Sequence, residues 1–279
     1  MIQLLSAGLT RLIKNKLFWF GNLLMTGFFI FLLIHSYTDS IKYPDSYLYT
    51  ADTLLFAPFQ IIGIFSSCFT GMFLGREYSD GTLRNKLITG KSRTQIYLSN
   101  LILSFVASLV VSFFAILADG ILGIAFWGPL QSTMTHTLLY IGLGILMLVV
   151  YSGIFTLLAM LISNRTAGTV VCIFLFFLML IASIYVNTRL DAEEFTTPGY
   201  TISVGGVLQP LDPVPNPLYL EGIARTVYEF FRELLPPSQG SMLMSHGVKR
   251  PLIQVLCTLG LTICTMISGI FHFRRKDLK

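Results

Sequence analysis

The sequence predicts an all-α integral membrane protein of six transmembrane helices, and three observations lead there. First, 54% of the 279 residues are hydrophobic, only 12% are charged, and mean hydropathy is +0.72. A soluble domain carries nearer a quarter charged residues. Second, six apolar runs occur, roughly 18–37, 54–75, 97–127, 136–162, 168–187 and 252–273. Each reaches the ~20 residues a helix needs to cross ~30 Å of hydrocarbon. Third, the basic residues fall in alternate connections. Arg11, Lys14 and Lys16 precede the first run, and Arg76, Arg84, Lys86, Lys91 and Arg93 follow the second. Arg165 follows the fourth, and Arg274, Arg275, Lys276 and Lys279 follow the sixth. That is thirteen of the 19 Lys and Arg, a distribution that places both termini in the cytoplasm. The net charge of +5 is therefore a topology signal. No recognition-helix or aromatic-interleaved basic pattern points to nucleic acid.

Within a single transmembrane domain, 1–279, the elements follow in order. Residues 1–17 carry Ile2, Leu5, Leu9, Leu12, Ile13 and Leu17 at helical spacing, with Arg11 and Lys14 on the other side. That pattern predicts an elbow helix lying in the membrane interface. The first apolar run is long for a signal-peptide core and lacks a small-residue cleavage site, so it reads as a retained span. The third run exceeds one crossing and must tilt, kink or project. Residues 188–250 form an external loop whose first half is rich in Pro and Gly. Its second half predicts an amphipathic helix with Asn216 as cap, Pro217 at the first position and Pro236–Pro237 as the stop. Leu220, Ile223, Val227, Phe230, Phe231 and Leu234 make its apolar face, and Glu221–Arg225 sit at a stabilising i,i+4 spacing. Cys68, Cys172, Cys257 and Cys264 all lie in apolar runs with no ligand-pair spacing, and they read as small core or lipid-facing residues.

The cytoplasmic connection 76–96 is the most charged stretch. Its Gly90-Lys91-Ser92 ends like a phosphate loop, but that motif needs glycine at 85, where Asn85 stands. Helix signals explain the stretch better. Ser79 or Asp80 can cap a short helix running through Thr82 to Ile88, with Gly90 just past its end. Ser92-Arg93-Thr94-Gln95 has the capping-box form and opens the third span. Leu83 and Leu87 give the short helix an apolar edge.

The same stretch, "EYSDGTLRNKLITGKSRTQIYLSNL", resembles the loop between the second and third helices of ABC transporter permeases of the ABC-2 type. Glu77, Tyr78, Gly81, Thr82, Leu83, Arg84, Lys86, Leu87, Ser92, Arg93, Tyr97 and Leu98 match that pattern as they stand. The six-span plan, the elbow and the large loop before the last helix extend the likeness over the chain. The resemblance implies that 76–96 holds a coupling helix docked on a separate cytosolic ABC ATPase, present in two copies. It implies that Glu77, Tyr78, Asp80, Gly81, Thr82, Leu83, Arg84, Lys86, Leu87 and Arg93 make or support that contact. ATP and magnesium would then sit in the partner, with no cofactor or metal in this chain. A second permease subunit, identical or paralogous, surrounding lipid and a bacterial plasma membrane complete the implied setting.

Asp119 is the one acid within the third run. An acid near the bilayer centre costs ~2.5–3.5 kcal/mol on insertion scales, so it should face protein or water. It either lines a translocation path or sits near the outer interface, hydrogen-bonded to a neighbouring helix. No zincin, nucleophile-elbow or paired-carboxylate pattern supports an enzyme. The sequence thus expects the permease subunit of an ATP-driven exporter for a hydrophobic or amphipathic substrate, a peptide antibiotic or drug-like molecule. A non-transporting immunity or sensor subunit and an ATPase-independent secondary carrier are the alternatives.

Overall fold

The computed structural model describes residues 1–44, 49–197, 200–202, 208–210 and 212–276. Lys279 and parts of the 188–250 loop lie outside the described residues. The chain opens with α1 (Ile2–Ile13) and α2 (Lys16–Lys42), broken at Lys14–Asn15, where the Asn15 side chain accepts the Leu17 amide and caps α2. The inward stripe of α1 is Leu4, Gly8 and Leu12, while Ile2, Leu9 and Ile13 point outward. Then follow α3 (Ala57–Ser79), the short α4 (Thr82–Ile88), α5 (Arg93–Trp127), α6 (Met134–Leu161) and α7 (Arg165–Leu190). Four short strands come next: β1 (Phe195–Thr196), β2 (Tyr200–Ile202), β3 (Leu208–Pro210) and β4 (Val214–Pro215). β1 pairs antiparallel with β4, and β2 with β3, so the Pro/Gly-rich stretch forms two small ladders. α8 (Gly222–Leu234), α9 (Pro236–Met244) and α10 (Pro251–Arg275) complete the chain.

Six of these helices, α2, α3, α5, α6, α7 and α10, are long and apolar enough to cross a membrane. At 35 residues α5 is about 52 Å long, so it overshoots the hydrocarbon layer and projects beyond it. α3 is the most enclosed and packs against α5, α6, α7 and α9, whereas α7 and α10 show most of their surface. Close packing around α3 relies on small polar side chains paired across helices. Ser66 and Ser108 hydroxyls meet at 2.7 Å, and Thr156 Oγ1 donates to Ser104 Oγ at 3.3 Å. A ladder of stacked rings, Phe65, Phe69 and Phe73, runs down α3 towards the basic end of the bundle, with Phe18 of α2 packed on it.

The amphipathic helix after the strands starts later than its sequence expectation and ends where the prolines place it. Asn216 Oδ1 accepts the Leu218 amide in a turn, and α8 begins only at Gly222, after Glu221. Glu221 stands in extended backbone, so its i,i+4 pairing with Arg225 does not form; Arg225 Nε pairs instead with Glu229 Oε1 at 3.6 Å. Pro236–Pro237 does follow the end of the helix, α8 stopping at Leu234, and the same pair also opens α9, because a proline lacks the amide that a first turn leaves free. Leu235, the residue before that proline, is extended and makes the corner. The sequence pattern gave no sign of α9, which is almost wholly buried against the start of α3.

Gly240 is the contact point of that packing. A Cβ there would stand 2.6 Å from the Phe59 carbonyl oxygen and 2.8 Å from Gln60 Cα, both backbone atoms that cannot swing aside. Gly240→Ala is expected to destabilise the protein by about 1–3 kcal/mol. Gly142→Ala, where nothing lies within 4 Å, should be neutral or slightly stabilising. Thermal unfolding in detergent separates the two.

Candidate coupling site

The basic end of the bundle is organised by one carboxylate. Glu77 stands in the last turn of α3 with its side chain 0% exposed. Lys86 Nζ of α4 donates to its Oε1 at 2.6 Å, and Asn100 Nδ2 of α5 donates to its Oε2 at 2.8 Å. Arg11 Nη2 of α1 lies 2.6 Å from Oε1 as an ion pair without hydrogen-bond alignment, and its guanidinium covers the Phe73 ring at 4.1 Å. Four helices therefore converge on one buried charge. In a water-poor site such a charge persists only when paired and hydrogen-bonded. Thr82 Oγ1 adds a bond to the Glu77 carbonyl, and Lys91 Nζ reaches Gln3 Oε1 of α1 at 2.8 Å.

The turn into α4 differs in detail from the sequence expectation. Ser79 ends α3 and Asp80 is its C-cap, so neither caps α4. The N-cap is Gly81 at φ +65, a left-handed conformation that favours glycine. Open space surrounds the missing Cβ, so Gly81 is there for its backbone conformation and not for room. At the far end Gly90 is left-handed at φ +79, with Gly90 N bonded to Leu87 O and Lys91 N to Lys86 O. The expected capping box is present, with Ser92 and Gln95 bonded reciprocally.

A second knot holds α10 to the same end. Tyr78 Oη donates to the Met160 carbonyl near the end of α6. Lys276 Nζ donates to Tyr78 Oη at 3.0 Å and to the Met160 and Leu161 carbonyls at 3.0 and 2.9 Å. These are orphan carbonyls of a helix C-terminus, which the Lys276 amine satisfies as a hydrogen-bond donor. Arg93 Nη1 reaches back to the Phe273 and Lys276 carbonyls.

The residues singled out from sequence thus divide by position. Glu77, Tyr78, Lys86 and Arg93 hold the bundle together, and Leu83 is buried in the chain's own core at 2% exposure with Leu87 packed beside it. Asp80 and Arg84 are exposed, and Gly81 and Thr82 are half-buried. Sequence reasoning missed Ile88, 74% exposed at the tip of α4 and one turn from Arg84. Its offset from the Leu83/Leu87 edge was the available signal. Asn100 and Lys276 were also missed, since nothing local marks their distant partners.

Asp119 lies elsewhere, buried on the α5 stripe Val111–Ala115–Asp119–Gly123, with no hydrogen-bond partner for Oδ1 among the described residues. It does not line the apolar groove of about 420 Å³ between α3, α5 and α6, which Phe59, Phe113, Ile116, Ile121, Ile141 and Leu148 help to form. Among the described residues no group of three or more His, Cys, Asp or Glu could hold a metal.

Six helices long and apolar enough to cross a membrane, packed around α3, are the architecture of a polytopic membrane protein. The chain belongs to the ABC-2 family of transporter proteins, whose family model matches residues 4–183, from α1 into α7. Among curated proteins, no relative matches the chain.

Two measurements test the knots. Removing both cations (Arg11→Leu with Lys86→Met) strands Glu77 and is expected to cost roughly 3–5 kcal/mol in unfolding free energy. Adding Glu77→Gln should recover much of that loss, because the stranded charge disappears. Lys276 titrates low, near about 8 instead of 10.5, because burial penalises its charged form. Between those values the unfolded chain binds more protons than the folded one, so stability rises with pH across the window. The stability of the wild type relative to Lys276→Met should therefore be flat below about 8 and climb towards 10.5. Unfolding midpoints at stepped pH read this directly.

Proposed function

We propose that this protein is the membrane-spanning subunit of an ATP-driven exporter in a bacterial plasma membrane, with both termini cytoplasmic. ATP and magnesium are held by a cytosolic ABC ATPase, in two copies. A second permease subunit, identical or paralogous, completes the translocation path. The observation that carries this reading is the mounting of α4. Its inner side is locked to the bundle through Glu77 and Leu83, while Arg84, Asn85 and Ile88 face outward. A helix so held cannot move without moving α1, α3 and α5. A push from the ATPase on its tip therefore reaches the spans, and ATP shifts the bundle by its differential affinity for two arrangements. The apolar groove supports a hydrophobic or amphipathic substrate, a peptide antibiotic or drug-like molecule.

The test uses the tip and leaves the anchor intact. Arg84→Glu combined with Ile88→Asp is expected to reduce co-purification of an ATPase by at least about tenfold, as loss of an interface hot spot would. The unfolding midpoint should stay unchanged. Undiminished co-purification overturns the assignment of α4. Leu83→Asp is not a clean probe, because it places a charge in the core.

A further inference from the structure

We propose that the cleft between α1, the start of α2 and the end of α3 binds the phosphate headgroup of an anionic membrane lipid. The cleft has a volume of about 360 Å³ and is lined by Arg11, Lys14, Asn15, Phe73, Arg76 and Asp80. Three cations and one carboxylate leave it with a charge of +2. Lys14 and Arg76 form no ion pair among the described residues. Arg11 is committed to Glu77 through Nη2, so Lys14 and Arg76 are the cations left for an anion in the cleft. The N-terminus of the 27-residue α2 opens here too, capped only by Asn15, and its dipole favours negative charge.

A lipid is favoured over a soluble phosphate by what surrounds the cleft. Trp19 sits at the elbow, half exposed, with its indole Nε1 donating to the Ile13 carbonyl at 2.7 Å. Tryptophan concentrates at the headgroup level of a membrane. Ile2, Leu9 and Ile13 of α1 point outward, and Phe20, Leu23 and Leu24 are exposed along the next two turns of α2. A headgroup in the cleft would therefore have acyl-chain surface beside it. Basic pockets of this kind between membrane helices suit anionic headgroups.

The experiment uses the purified chain alone, so it does not depend on an ATPase. The protein is offered equal amounts of dioleoyl-phosphatidylglycerol and dioleoyl-phosphatidylcholine, and the lipid retained is counted by native mass spectrometry. The wild type should retain phosphatidylglycerol in preference. The variant Lys14→Gln/Arg76→Gln, which leaves the Arg11–Glu77 pair intact, should lose that preference by roughly tenfold or more. Its unfolding midpoint in phosphatidylcholine serves as the folding control. Equal retention of the two lipids, or a preference that survives in a folded variant, overturns the proposal. If glycerol phosphate or inorganic phosphate stabilises the wild type as much as phosphatidylglycerol does, the occupant is a free anion and the lipid assignment fails.

Discussion

Glu77 is the constraint on which the basic end depends. A carboxylate with no exposure cannot remain charged without counter-charges, and Lys86 and Arg11 come from different helices to supply them. Asn100 satisfies the second oxygen from a third direction. The requirement is asymmetric. The two cations keep 21% and 35% of their side-chain surface and can be shared with water, whereas the carboxylate cannot. The positions of α1 and α4 relative to α3 and α5 thus follow from the need to neutralise one charge.

That knot and the Lys276 knot use different physics for a common end. The first cancels a buried charge. The second satisfies the unpaired carbonyls that every helix C-terminus leaves, with Tyr78 and Lys276 capping α6. Glu77 and Tyr78 are neighbours on α3, so the two knots adjoin in sequence and in space. Displacement at α4 would be felt at α6 and α10 as well as at α1 and α5. The rest of the bundle has looser bonds: hydroxyl pairs such as Ser66–Ser108 and stacked rings along α3, which tolerate small sliding movements.

The opposite end is built around α9 and α8. α9 fills the space above α3, and α8 presents Ile223, Val227, Phe230 and Phe231 outward while Arg225, Glu229 and Arg250 form a chain of ion pairs. Exposed apolar residues on a helix packed beside α7 and α10 fit a membrane surface, where lipid and not water meets them. Burial raises the Glu233 carboxyl above its ordinary range on the inner side of the same helix, with Arg232 and Arg250 opposing that shift.

The sequence alone determined the class, the six spans, the short helix after α3 and the capping box that opens α5, because each rests on a local signal: apolar length, periodicity or a cap spacing. It also drew attention to the loop around Glu77, Gly81 and Arg84, since that pattern is local too. Only the tertiary structure decided their roles. Leu83 proved to be an anchor and Ile88 a surface knob, because burial depends on where the rest of the bundle stands. Pro236–Pro237 reads as a stop and is one, but that the chain re-enters a helix there was decided by the space beside α3. Asn100 and Lys276 are silent in sequence, 23 and 198 positions from the residues they hold. Hydrogen bonds over such separations obey the geometry of the folded bundle, which no local pattern records.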